Sequence, residues 1–338
     1  MRRILYIIFA VILLSNAAKA QQPYFFSEFF EAAPAFNPAF TGINDFIDLT
    51  LIRRNQWLGT DGAPTTNYIG IYNNLRKEEI ISIKELSLRI SNPHLYDSMI
   101  MAAPRVKDKI KHGYGGNLIY DTQNPYSQFI GNLNYSLHLD LKNNLHVAFG
   151  LNVGIHNQKI DLSKINLRDP DQDDFFQKLV AQGGNNTSIN IVPGILFYGP
   201  SFYIGYSAGN LVNINIEDIA LTDDINKLVQ YVQAGYQMPM GEYLKLQGSI
   251  FYYYYGKDLN SLDTNLKLNI NQKGYLGVTY RTTKDAVFMG GLYIQKKFHF
   301  GYSYDMKIAG RNDLNNGAHE ITLGFMLSNP DLNLPYVW

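Results

Sequence analysis

Seven histidines, His94, His112, His138, His146, His156, His299 and His319, are the side chains best suited to metal or proton chemistry in this 338-residue sequence. No two stand four apart, the spacing that puts a pair of ligands on one helix face. Four of them, His138, His146, His156 and His299, fall on the polar positions of alternating segments, where hydrogen-bonded histidines inside a barrel are favoured over a metal site. The run Asp169-Pro170-Asp171-Gln172-Asp173-Asp174 opens like a calcium loop. It places Asp174 where the turn glycine belongs and Val180 where the bidentate glutamate belongs, so the EF-hand reading fails. There is no cysteine, which excludes disulfides, thiolate metal sites and a cysteine nucleophile. Neither a phosphate-cradling glycine loop nor a nucleophile elbow is present. The expectation is a protein without catalytic residues, without a metal and without a cofactor.

The elements that would position these residues are strands. Leu133, Tyr135, Leu137, Leu139 and Leu141 alternate with Asn132, Asn134, Ser136, His138 and Asp140, and the same period of two resumes from Leu145 to His156 after Lys142-Asn143-Asn144. Segments this long match the ~9–11 residues that cross a bilayer at a tilt. Comparable segments lie near 46–55, 66–74, 114–121, 128–141, 145–157, 187–198, 201–208, 229–238, 243–255, 264–271, 274–281, 286–295, 298–305 and 319–327. Fourteen is an even number, as single-chain outer-membrane barrels have. The expected fold is all-β, a transmembrane antiparallel up-and-down β-barrel of about 14 strands, with 16 as the variant.

Connections sort by length in the same frame. With the N-terminus in the periplasm, the turns Lys142–Asn144, Gly199-Pro200, Pro239–Glu242, Gln272-Lys273 and Lys296-Lys297 fall inside. The longer connections 158–186, 209–228, 256–263 and 306–318 fall outside. Residues 75–113 break the pattern as a long inner segment holding eight Lys/Arg against five acids. They are read as a periplasmic insertion, a solvated loop or a docking element, or as two further strands, Ile81–Ile90 being the better candidate. Tyr252–Tyr255 and the outward set Phe298, Phe300, Tyr302 and Tyr304 read as interfacial aromatic girdles.

Arg2 and Arg3 before the apolar run Ile4–Leu14, then Ala18-Lys19-Ala20, form a secretory signal with cleavage expected after Ala20. Removing its three basic residues leaves 26 basic against 29 acidic groups, net −3, which argues against a nucleic-acid binder. Only 17% of residues are charged, while 25 Tyr, 19 Phe and 28 Gly make up the difference. That balance fits strands with one face in lipid and one against a polar lumen. The organisation expected is 1–20 signal peptide, 21–45 periplasmic N-terminal arm, 46–327 barrel and 328–338 tail. The arm carries Phe25, Phe26, Phe29, Phe30, Phe36 and Phe40 and is expected at the periplasmic mouth.

Two groups of residues carry a family resemblance. The first is Asn37-Pro38-Ala39-Phe40-Thr41-Gly42, followed by Arg54-Asn55-Gln56-Trp57-Leu58-Gly59 and Gly62-Ala63-Pro64. The second is Gly301-Tyr302-Ser303-Tyr304-Asp305, then Gly317-Ala318-His319-Glu320-Ile321. In order and spacing the chain resembles the PorP/SprF family of type IX secretion outer-membrane proteins. The departures are the long 75–113 segment and a tail, Ser328–Trp338, beyond the last strand. Closure of a barrel would set the first and last strands side by side, so Arg54 is expected to reach Asp305 or Glu320.

The resemblance implies a non-enzymatic outer-membrane barrel of the type IX secretion and gliding machinery. Such a barrel is a core component or the partner of one secreted surface adhesin. The expected partners are secretion components in the periplasm or outer membrane, the adhesin on the outer face, and the lipid bilayer. The alternative is a passive outer-membrane channel or transporter for small solutes. The motif residues are expected in structural or partner contacts, with barrel closure and plugging the leading reading.

Overall fold

The computed structural model describes residues 25–75, 78–80, 105–107, 109–165, 176–177, 180, 183–216, 228–255, 259–308, 317–329 and 335. The leader with its cleavage position, the strand candidate Ile81–Ile90, His94, the acidic run 169–174 and Trp338 lie outside these residues.

Fourteen strand positions close one antiparallel sheet on itself. They are β1 (Ile47–Gln56), β2 (Thr65–Leu75), β5 (Ile110–Gln123), β6 (Tyr126–Asp140), β7 (His146–Ile160), β8 (Asn185–Gly199), β9 (Phe202–Gly209), β11 (Val229–Met240), β12 (Leu244–Tyr255), β13 (Leu259–Ile270), β14 (Gly274–Arg281), β15 (Asp285–Ile294), β16 (Phe298–Lys307) and β17 (Ala318–Leu327). Each pairs with its sequence neighbour around the barrel, and β1 against β17 completes the ring, Ile47 opposite Leu327 through Gln56 opposite Ala318. A short strand, β10 (Val212–Asn215), follows β9, the seventh position, past Asn210 at positive φ and pairs with β8. The fourteen-strand expectation holds, and so does the even parity.

Among the described residues the inner segment adds no barrel strand. Its described parts, β3 (Glu78–Ile80) and β4 (Arg105–Lys107), pair with each other in a separate two-stranded ladder. The sorting of connections is only partly as expected. Connections 57–64, 161–184 and 308–317 are long and share one end, as does the stretch from 210 to 228 that carries β10. Strands at that same end are also separated by as few residues as the turns opposite, at 124–125, 256–258 and 282–284; β5 and β6 reach further than the alternation indicates, and β13 starts at Leu259 rather than 264. The expected loop 256–263 is therefore three residues long, with β13 already paired at Leu259.

Period-two alternation survives the folding. Leu133 stands 75% exposed, and Leu118, Leu151, Leu276, Ile321 and Leu323 face outward with it, while Asn134, Ser136 and His138 are buried inside. An apolar exterior on every face exceeds the few-hundred-Å² patches of water-soluble monomers and suits lipid. No helix among the described residues is long and apolar enough to cross a membrane.

The core is inside the ring and is supplied largely by the N-terminal arm. The regular pieces among its described residues are α1 (Ala33–Phe36), one turn with Pro34 near its start, and a 3-10 turn at Pro38–Phe40 capped by the Asn37 side chain accepting from Ala39 N–H at 3.0 Å. Phe26, Phe29, Phe30 and Phe36 are fully buried against Tyr68, Phe251, Tyr253 and Tyr275 from the wall. Phe29 stacks on Phe251 at 5.2 Å, and Phe40 meets Tyr203 edge-on at 5.6 Å. Each such phenyl removed from water contributes about 1.5–3 kcal/mol. The arm thus goes beyond the barrel mouth and occupies the lumen. Tyr253, read from sequence as part of a girdle, points inward, since consecutive residues of a strand cannot all face lipid.

Candidate functional site: the contact between arm and barrel wall

The arm grips the wall in two ways. Toward β1, β13, β14, β16 and β17 the contact is ionic. Register sets Arg54 opposite Glu320 and Asp263 opposite Arg281. The short ion pair of Arg54 is nevertheless with Asp305, at 2.7 Å, and Glu320 is 3.6 Å away. Glu320 is engaged elsewhere: its two carboxylate oxygens accept the backbone N–H groups of Ser27 and Glu28 at 2.8 and 2.9 Å. Ser27 Oγ donates to Asp305 and accepts from Arg54. Arg281 donates from Nε to both oxygens of Asp263, at 3.1 and 2.9 Å, and reaches Asp305 at 3.2 Å. All five charged side chains are nearly sealed from solvent. Buried charges persist only when paired and hydrogen-bonded, and here they are.

Lower on the same side lie Glu28, Glu31, Lys267, Tyr275 and His299. Tyr275 donates to Glu28 Oε2 at 2.7 Å and lies 3.0 Å from His299 Nε2. Lys267 Nζ rests over the rings of Phe30 at 3.7 Å and Tyr275 at 4.6 Å. Burial and then the neighbouring Glu31 push the Glu28 carboxyl above its ordinary range. Burial also opposes charge on Glu31, but His299 outweighs it and holds that carboxyl below its ordinary range.

Toward β5, β6, β7 and β8 the contact is made mostly by neutral groups, with Lys111 on β5 the charged one, donating to Ile43 C=O at 2.7 Å and pairing with Asp45 at 3.3 Å. Thr41 C=O accepts from Ser136 Oγ at 2.6 Å and lies 2.8 Å from His138 Nε2; Asn134 donates to Pro34 C=O at 2.9 Å. Asn37 donates to Ile195 C=O at 3.2 Å. Backbone meets backbone at Gly150, where an added Cβ would collide with Ala39 N and Pro38 C. Gly42 ends the motif with φ +67°, a left-handed conformation suited to glycine, against the backbone of Gly113.

The motif residues therefore divide by place. Asn37, Pro38, Ala39, Gly42, Arg54, Asp305 and Glu320 lie inside and join arm to wall. Asn55, Gln56, Trp57, Gly62, Ala63, Pro64, Tyr304, Gly317 and His319 form the seam at the long-loop end. There Gln56 N–H donates to Pro64 C=O at 2.9 Å and Trp57 N–H to Gly317 C=O at 2.8 Å. Tyr302 Oη lies 2.7 Å from His319 Nδ1 and the Tyr304 ring stacks nearby. Sequence reading anticipated Arg54 and its partners but missed Ser27, Glu28, Asp263, Lys267, Arg281 and Tyr275. Lys267 and Arg281 carried a usable signal, being charges at positions whose parity points inward, whereas Asp263 fell in the expected loop 256–263.

A membrane barrel plugged by its own N-terminus and sealed at a β1–β17 seam is the setting for the family comparison. The sequence profile described as type IX secretion system membrane protein PorP/SprF matches residues 18–325. The chain belongs to the PorP/SprF family. As a family member with a closed, apolar-faced barrel, it is an outer-membrane protein. No curated protein matches this sequence. Among solved structures, it is similar to the Acinetobacter baumannii outer membrane protein Omp33 at 7% identity over 85% of this chain and 100% of that one, TM-score 0.44. It is also similar to the Ralstonia pickettii toluene transporter TbuX at 8% identity over 87% and 92%, TM-score 0.45. Likeness this distant says nothing about cargo or activity.

Proposed function

We propose that this PorP/SprF barrel acts in the type IX secretion and gliding machinery by protein contact alone, without turnover. In this reading it is a core component or the anchor of one secreted adhesin. The observation that supports it is the filled lumen. Aromatic residues of the arm occupy the interior, and buried ion pairs hold them to the wall, an arrangement suited to a rigid scaffold. In the proposed orientation the short turns and the 76–109 segment face the periplasm, where secretion components would dock. The long connections 161–184 and 210–228 face outward and would meet the adhesin. The exported leader would be removed after Ala20.

Conductance across a planar bilayer separates this from the passive-channel alternative. The purified protein should stay near the membrane baseline, and large steady currents would overturn the scaffold reading. Crosslinking from cysteines introduced in 161–184 should capture a large secreted protein. Capture of none, with secretion intact in a deletion strain, would remove the partner role.

A further inference from the structure

The outer surface of the wall carries almost no charge. Among the described strand residues whose parity points outward, only Arg53 on β1 and Lys159 on β7 bear one. Lys159 is next to the end of its strand, whereas Arg53 lies three residues inside the end of β1 at Gln56. Arg53 is exposed between the buried Ile52 and Arg54, so its guanidinium points away from the ionic lattice inside. Register sets Arg53 opposite Asn67 on β2, and Asn55 opposite Thr65 on β2 and His319 on β17. Directly opposed residues have Cβ atoms about 4.5–5.5 Å apart and diagonal ones about 7–8 Å, so Arg53, Asn55 and Asn67 can converge on one small group.

Other polar side chains on the outer surface satisfy one another. Asn73 donates to Tyr114 Oη at 2.9 Å, and Asn157 donates to Thr187 Oγ1 at 2.8 Å. The side chains of Arg53, Asn55 and Asn67 make no hydrogen bond and no ion pair among the described residues. Their height on the wall is also distinct. The outward row of β1 reads Leu49, Leu51, Arg53, Asn55, and that of β2 reads Ile71, Ile69, Asn67, Thr65. On β17 it reads Leu323, Ile321, His319, so three adjacent strands turn from apolar to polar within one register step. Exposed Tyr120 and Tyr302 flank this boundary, opposite Asn67 and Ile321. Such a boundary with tyrosines beside it is the headgroup level of a bilayer. A guanidinium costs least there, but its charge still calls for an anion, and the described residues supply none. Lipid phosphate meets that need: it takes the paired N–H groups of arginine, and two amides add further donors.

We propose that Arg53, Asn55 and Asn67 hold the phosphate of one lipid in the leaflet at the long-loop end, the outer leaflet in the orientation proposed above. The bound lipid sits on β1 and β2, beside the seam where β1 meets β17. The site does not depend on the secretion role, and its test involves no secretion. The full chain folded in detergent is mixed with dioleoyl phosphatidic acid or with dioleoylglycerol, which lacks the phosphate, and bound lipid is counted by native mass spectrometry. One phosphatidic acid should be retained at a roughly tenfold lower lipid concentration than dioleoylglycerol. Arg53→Met, which keeps an apolar stem toward the lipid, should erase that preference, and Asn67→Ala should weaken it. Lys159→Gln should leave it unchanged, which separates this site from general attraction to a cation. Faster migration in unheated gels shows that each variant is folded. Equal retention of the two lipids by the wild type overturns the proposal, as does an undiminished preference in folded Arg53→Met. Should Arg53→Met fail to fold, an undiminished preference in Asn67→Ala overturns it instead. Displacement of the phosphatidic acid by excess glycerol phosphate also overturns it, because the site would then take a soluble phosphate rather than a lipid.

Discussion

The two sides of the lumen hold the same arm by opposite means. On the β1, β13, β14, β16 and β17 side, Arg54, Asp263, Arg281, Asp305 and Glu320 form a desolvated ionic lattice with Ser27 at its centre. On the β5–β8 side, backbone carbonyls of the arm receive mostly neutral hydrogen bonds, with Lys111 to Ile43 C=O the charged one, and glycine lets two backbone segments touch. Ionic contacts are intolerant of a missing member, because the remaining charge stays buried. Neutral contacts fail gradually, one hydrogen bond at a time. The arm is thus held by one brittle side and one forgiving side.

Removing a charge should give the largest effect. Arg54→Ala leaves Glu320 without its cation and Asp305 with Arg281 alone, and should cost about 3–5 kcal/mol, read as a fall in the denaturant midpoint of the detergent-folded barrel. The double replacement Arg54→Met with Asp305→Leu should cost less than the single change, and a larger loss would mean the lattice is not the brittle side. Next comes crowding on the neutral side. Gly150→Leu forces a side chain into Ala39 and Pro38 and should cost about 1–3 kcal/mol, with protease cleavage of the loosened arm as a second readout. Ser136→Ala removes one bond to Thr41 C=O and should cost about 1 kcal/mol. If Ser136→Ala proved as damaging as Arg54→Ala, the contrast between the two sides would collapse. At the exposed seam, Tyr302→Phe loses only its contact with His319 and should stay within about 0.5 kcal/mol of wild type.

Much of the wall was legible in the chain because strand alternation is a local property. Leu133 outside and Asn134 inside follow from period two alone, and most strand bounds fall within a few residues of those the pattern indicates. Arg54 was traceable to Asp305 and Glu320 because closure must join first strand to last. The extra reach of β5 and β13 was not, since nothing in Leu259–Asp263 distinguishes a paired strand from a polar loop. The inward direction of Tyr253 was legible, because alternation sets it on the same face as Phe251.

By itself the sequence determined an alternating barrel of fourteen strands and the family, both carried by short-range pattern and motif order. Only the tertiary structure decided that the arm fills the lumen and which charges meet there. Residues 27–31 carry no periodic signal, and their partners Tyr275, Asp305 and Glu320 lie more than two hundred residues away. The lumen that composition presented as polar and uncharged is charged in detail. Its ions are matched across strands, and such matching leaves no trace in a linear count.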